Sequence, residues 1–311
     1  MSRLVRVAAA VILRPDGRVL LAQRPPGKPY EGYWEFPGGK LEPGETPAHA
    51  LARELHEELG IDVQRASPWF VQEFVYPHAH VELNFFRVLA FGGEPHGRDG
   101  QAFAWQVPGA FDVAPLLPAN TRVLKALELP TLYGISAVDD GDEDVFLRRA
   151  AAAFAAGLRL MQLREKTWPR ARIAALAPRL LDLARAHGVR VLLNGDDDDA
   201  RRLGFDGVHW SAERLRGAIR RPDDLLVGAS CHDADELARA GRLGCDFAVL
   251  GPVLATPSHP DARPLGWPGF ADAVAGARLP VFALGGLDAR DLDHAIDRGA
   301  HGVAMRRGAW P

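Results

Sequence analysis

Cysteine is almost absent from this chain of 311 residues: Cys231 and Cys245 are the only two. That excludes a disulfide scaffold, and their spacing is not that of a metal-ligand pair, so both read as buried, inert thiols. An excess of one charge is missing too. Lys and Arg number 37 against 40 Asp and Glu, a net charge of −3, which gives no blanket affinity for a nucleic-acid polymer or an anionic membrane. Any nucleotide partner must be bound by a site. No apolar run reaches the ~18 residues that a membrane-spanning helix needs. The opening "MSRLVRVAAAVILRPDG" carries Arg6 and a strand-like pattern running into a Pro-Asp-Gly turn, unlike a secretion leader. A cytoplasmic protein is expected. What the chain does have is length and 47% hydrophobic residues, enough for two cores.

The organisation changes near residue 130. Before it, short strand patterns and Pro/Gly turns surround a single acidic helical stretch; after it, apolar strand-like runs alternate with Ala/Arg/Leu-rich helical stretches. Eight such runs can be read: "TLYGIS", "LRLMQLR", "VRVLLN", "FDGVHW", "DLLVGAS", "CDFAVLG", "LPVFALGG" and "AHGVAM". Eight strands separated by helices predict a (β/α)8 barrel over residues 131–311, lacking its last helix because the chain stops soon after the eighth strand. Residues 1–130 form the other predicted domain, and "LLPANTRVLKALELP" closes it as a helix.

The acidic stretch is "GGKLEPGETPAHALARELHEELGI". Thr46 suits an N-cap, Pro47 the first helical position and Gly60 the C-terminal exit. Ala48, Leu51, Leu55 and Leu59 recur at helical spacing as a buried stripe, while Glu54, Glu57 and Glu58 fall together on another side. Like charges at i,i+4, such as Glu54 and Glu58, cost an isolated helix a few tenths of a kcal/mol. Either the face is solvated or it binds a hard cation, since Mg2+ takes oxygen ligands.

Gly39, Glu45, Arg53-Glu54-Leu55, Glu57-Glu58 and Gly60-Ile61 match every position of the Nudix box, and the first domain resembles that hydrolase family. The resemblance implies a mixed sheet with helices. It also implies divalent-metal binding by Glu54, Glu57 and Glu58 beside the Gly39 carbonyl, with Glu45 and Arg53 structural and Glu54 as the water-activating carboxylate. The ion would be Mg2+, with Mn2+ as the alternative. "VILRPDGRVLLAQRPPGKPYEGYWEFPGGK" and "LLPANTRVLKAL" are similar to the MutT branch, which removes oxidised purine nucleotides such as 8-oxo-dGTP. By position Arg24 and Phe36 would then contact the nucleotide and Asn120 would read the purine edge. An Asn amide can do so in a bidentate way, although alone it reads equally as a helix N-cap. One departure is Ala104, where MutT has a further metal-binding glutamate.

The second domain resembles the thiamine phosphate synthase and TenI family, carried by "MQLREKT", "GFDGVHW", "VGASCH", "GPVLATPSHPDARPLGW" and "VFALGGLDARDLDHAIDRGAHGVAM". The resemblance implies that Gln162, Arg164, Lys166 and Asn194 meet a pyrimidine diphosphate and that the Gly285-Gly286 turn holds a phosphate with its amides. Rim ion pairing is the alternative for Arg164 and Lys166. Two aspartates hold Mg2+ in the synthases; here Gly195 follows Asn194, and Arg214 stands at the other position. Asp196 and Glu213 lie one step away, and the run Asp196 to Asp199 reads as a solvated helix start. His259 replaces a lysine, Arg306-Arg307 a serine, and Pro252 the tautomerase histidine of TenI.

The expected function is therefore a Mg2+-dependent nucleoside triphosphate pyrophosphohydrolase that sanitises the nucleotide pool, joined to a barrel that binds a thiamine-related or nucleotide phosphate. The alternatives are a bifunctional enzyme that also makes thiamine phosphate, a Nudix half that cleaves thiamine-pathway diphosphates, and a nucleotide sensor without turnover.

Overall fold

The computed structural model describes residues 4–98, 100–138, 141–256 and 263–311; His259 lies outside them. The chain divides into two compact units, one ending at Leu129 and one starting at Pro130.

In the first unit the strands are β1 (Leu4–Ile12), β2 (Val19–Gln23), β3 (Trp34–Glu35), β4 (Gly38–Lys40), β5 (Asp62–Val75), β6 (His80–Gly92) and β7 (Phe103–Gln106), with helices α1 (Pro47–Leu59) and α2 (Thr121–Leu127). One sheet runs β4-β1-β6-β5 and a smaller one β3-β2-β7. The first is mixed, because β1 pairs parallel with β6 and antiparallel with β4. Alternation along β1 divides its buried half between two cores. Ala8, Ala10 and Ile12 pack with Leu51, Leu55 and Leu59 of α1, while Ala9 and Val11 pack with Phe36, Phe85 and Val123. Gly38 is needed at the β1–β4 contact: its φ is +139°, and a Cβ there would strike the Ala8 carbonyl.

α1 begins and ends as its sequence predicts. The Thr46 side chain accepts from the His49 amide, Pro47 opens the helix and Gly60 closes it at φ 67°. Its buried sector is different. Ala50, Leu51, Leu55 and Leu59 are buried and Ala48 is exposed, so the packed face is rotated from the expected stripe toward Glu54 and Glu58. The carboxylates are consequently drawn to the edge of the core.

The second unit has strands β8 (Leu132–Ile135), β9 (Leu160–Leu163), β10 (Arg190–Leu193), β11 (Gly207–Trp210), β12 (Leu226–Cys231), β13 (Phe247–Leu250), β14 (Val281–Leu284) and β15 (Gly302–Met305). They close into a parallel barrel. Helices α3 (Glu143–Ala155), α4 (Arg170–Ala186), α5 (Asp197–Leu203), α6 (Ala212–Gly217), α7 (Ala234–Leu243), α8 (Gly266–Val274) and α9 (Leu292–Asp297) alternate with them. Inside, the rings of Tyr133, Phe247 and Phe282 meet at centroid separations of 5.2 to 5.6 Å. After β15 the residues Arg307–Ala309 form a 3-10 turn in place of a helix, and the Trp310 indole donates to the Ile135 carbonyl at 2.8 Å. Among the described residues no helix is long and apolar enough to cross a membrane.

Candidate functional site

In the first unit, α1 brings its glutamates to the loop that holds β4. Gly39 lies so close to Glu54 that an added Cβ would collide with the carboxyl group. The Gly38 amide donates to Glu58 Oε2 at 3.3 Å. Arg53 is the organising cation. It donates to both Glu45 oxygens at 3.0 Å and to the Lys40 carbonyl, and its Nη1 bridges Glu54 at 3.0 Å and Glu57 at 3.2 Å. Burial, with repulsion from Glu54 adding to it, pushes the Glu58 carboxyl up to about 7.

A divalent metal fits this donor set. Glu54 and Glu58 are hard oxygen donors at a niche next to the backbone of the Gly38–Gly39 loop, and Glu57 flanks them. Among the described residues no group of three or more His, Cys, Asp or Glu side chains is gathered closely enough to hold a metal as it stands. Arg53 bridges Glu54, at 16% side-chain exposure, and Glu57, at 58%. β7 adds no carboxylate, since Ala104 pairs with Leu21 inside that small sheet.

The three candidate base-reading residues lie close to β3 but differ in access. Arg24 pairs with Glu35 at 2.5 Å and donates to the Pro29 carbonyl at 2.8 Å. Asn120 is 3% exposed and makes no capping bond to α2; its amide points to the Trp34 carbonyl at 3.5 Å. Asn120 stands at the N-cap position of α2 as its alternative reading expected, but does not cap through its side chain, sitting at the end of a 3-10 turn (Pro118–Asn120) in helical backbone conformation. Phe36 follows β3 into the core. Its ring is 4% exposed and stands edge-on to Phe85 in the core at 6.0 Å, so it offers no open face to a base. The rings that are not buried nearby went unnoticed in the sequence: Tyr30, Tyr33 and His78 cluster around the buried Tyr76, with Tyr30–Tyr76 centroids 5.3 Å apart. Tyr76 packs with Ala119 next to Asn120. Burial, with Glu35 nearby, pushes its phenol up to about 12.

In the second unit a cavity of about 460 Å3 opens where the barrel strands end, and Gln162, Arg164, Lys166, Asn194, Gly285 and Gly286 all line it. Gln162 is 1% exposed, and its side-chain oxygen is buried without a hydrogen-bond partner among the described residues. Asn194 donates to the His209 carbonyl at 3.2 Å. Gly285 needs its φ of +111°, and a Cβ there would come within 2.7 Å of Pro252. Inside the barrel His209 bridges the Tyr133 hydroxyl and Ser230, each at 3.0 Å. The run Asp196 to Asp199 starts α5 as expected, with its acids engaged by cations as well as by solvent. Asp198 is exposed and pairs with Arg201 at 2.9 Å, Asp197 takes the Trp210 indole at 2.9 Å and Arg214 at 2.8 Å, and Asp199 pairs with Arg170 and Arg202.

The NUDIX domain model matches residues 8–126 and the thiamine monophosphate synthase model residues 132–309. The chain belongs to both families. An 8-oxo-dGTP diphosphatase of Haemophilus influenzae is 38% identical over 40% of this chain and 93% of that protein. A thiamine-phosphate synthase of Chromobacterium violaceum is 38% identical over 58% of this chain and 90% of that protein. A solved MutT structure, from work on Aliivibrio salmonicida and Vibrio cholerae, is 36% identical over 40% of this chain and 97% of that one, with a TM-score of 0.35. Nudix hydrolases generally use divalent metal ions, and the carboxylate niche of the Nudix half is in keeping with that habit. The synthase-family barrel keeps its cavity and glycine turn while placing Arg214 among acids.

Proposed function

We propose that the Nudix half is a Mg2+-dependent nucleoside triphosphate pyrophosphohydrolase, with Mn2+ as the alternative ion, and that it favours 8-oxo-dGTP. The carrying observation is the inward turn of Glu54 and Glu58 onto the Gly38–Gly39 loop, and the relative named as an 8-oxo-dGTP diphosphatase supports the substrate. Glu54, Glu57 and Glu58, with the Gly39 carbonyl, would hold the ion. When bound, a divalent cation neutralises the diphosphate oxygens and makes water a stronger nucleophile. Arg53 keeps Glu54 oriented through Oε1, and Glu54 Oε2 takes the proton of the attacking water. Asn120 reads the purine edge from beside β3, and the base packs on the Tyr30 and Tyr33 rings, where Tyr76 and Phe36 support from the core. Such a substrate places the enzyme in the cytoplasm, in nucleotide-pool sanitising. Pyrophosphate release from 8-oxo-dGTP in Mg2+ tests the reading; turnover of thiamine-pathway diphosphates alone would favour the other substrate class.

The barrel is read as a binder of a thiamine-related or other phosphorylated small molecule with little or no synthase turnover. Gly195 and the pairing of Arg214 with Asp196 and Asp197 support this, because the charge on a departing diphosphate then lacks its clamp. Full-length protein given the pyrimidine diphosphate, thiazole phosphate and Mg2+ should form no thiamine phosphate; robust product would make the protein bifunctional.

A further inference from the structure

The synthase resemblance implies a divalent cation held by two aspartates in the barrel, and the residues here do not fit one. Among the described residues the cavity wall carries Arg164, Lys166, Arg306 and Arg307 but a single carboxylate, Asp288. Asp288 is clamped by Arg290 at 2.5 Å, which holds its carboxyl down at about 2. Glu165, in the same strand-end segment as Arg164, is turned away to the Ser136 hydroxyl at 2.5 Å and the Val138 amide at 3.2 Å.

The acids that could have served lie elsewhere. Asp196 to Asp199 line a separate recess of about 260 Å3 together with Arg170 and Arg214. Asp196 is paired with Arg170 at 2.5 Å and Arg214 at 3.4 Å, and Glu213 is exposed. Guanidinium groups thus take the place that a metal would need.

The cations in the main cavity press on one another. Burial and then Arg306 hold the Arg164 guanidinium below its ordinary value, while Arg164 and then burial lower the Lys166 ammonium. Like charges collected at one end of a concave site, beside the left-handed amides of Gly285 and Gly286, are relieved by a multiply charged anion bound through charge-assisted hydrogen bonds.

We propose that the barrel cavity binds a small phosphorylated molecule of two or more negative charges directly through Arg164, Lys166, Arg306 and the Gly285-Gly286 turn, with no divalent cation in the site. This rests on the reading of the barrel as a phosphate binder.

The test is calorimetric titration of full-length protein with inorganic pyrophosphate, first in EDTA and then in Mg2+. The Mg2+ arm uses a Glu54→Gln, Glu57→Gln, Glu58→Gln variant, so that the Nudix half adds no metal-dependent binding. One site should appear in EDTA, Mg2+ should not strengthen it, and Arg306→Gln should weaken it at least about tenfold, a loss of ~1.4 kcal/mol. Lys166→Gln, at an exposed position, should weaken it too and serves if Arg306→Gln fails to fold. Binding that needs Mg2+ would overturn the metal-free site yet leave the phosphate reading standing. No binding in either condition would sink both, and EDTA binding indifferent to both substitutions would place the ligand outside this cavity.

Discussion

Gly39→Ala is a narrow probe of the carboxylate niche. The backbone at Gly39 does not have a positive φ, so alanine is not strained there, but its Cβ would meet Glu54 well inside the 3.0 Å that real Cβ contacts respect. Glu54 can yield because it is the end of a flexible side chain, and the fold should survive. To restore normal contact its carboxylate must retreat by about 1 Å, and a misplacement of ~1 Å can cost about 100-fold in rate. That corresponds to ~2.7 kcal/mol of lost transition-state stabilisation. Pyrophosphate release should therefore show kcat reduced about 100-fold with KM little changed, while the thermal unfolding midpoint stays near that of the unmodified protein. Near-normal kcat in a folded Gly39→Ala protein would refute the placement of Glu54 at the reacting centre.

Glu57→Gln keeps the side-chain shape and removes one ligand charge; turnover should fall by about two orders of magnitude or more with the fold intact, read by the same assay. Asn120→Ala should raise KM for 8-oxo-dGTP more than for dGTP, by about tenfold, since losing a buried polar partner costs ~1–3 kcal/mol. In the barrel, burial and then Arg164 hold the His209 imidazole down to about 3. The unfolded chain takes up that proton below pH ~6.5 and the folded one does not, so stability should fall as pH drops from ~6.5 toward 3, by up to ~1.4 kcal/mol per pH unit. Urea unfolding from pH 6.5 to 4.5 should lose that part of its slope in His209→Gln; equal slopes would contradict it.

What could be read in advance was local. The cap, first proline and exit glycine of α1 are short-range signals, and the eight barrel strands are continuous apolar runs bounded by turns. What escaped was decided by partners far along the chain. Residue spacing placed Leu51, Leu55 and Leu59 on one face, but only packing against β1 and β5 determined that Ala50 and not Ala48 would be covered, which drew Glu54 and Glu58 inward. Phe36 carries the same aromatic character whether it faces a ligand or Phe85. The acids after Asn194 looked solvated because Arg170, Trp210 and Arg214, which engage them, approach from other elements. The Tyr30–Tyr76 cluster likewise joins residues of two separate loops.

The central claim is most directly tested by kcat/KM for pyrophosphate release from 8-oxo-dGTP and from dGTP, each measured in Mg2+ and in EDTA. The account predicts pyrophosphate and 8-oxo-dGMP as products, turnover abolished by EDTA, and a preference for the oxidised nucleotide of about tenfold or more. Equal kcat/KM for the two nucleotides, or turnover that persists in EDTA, would contradict it.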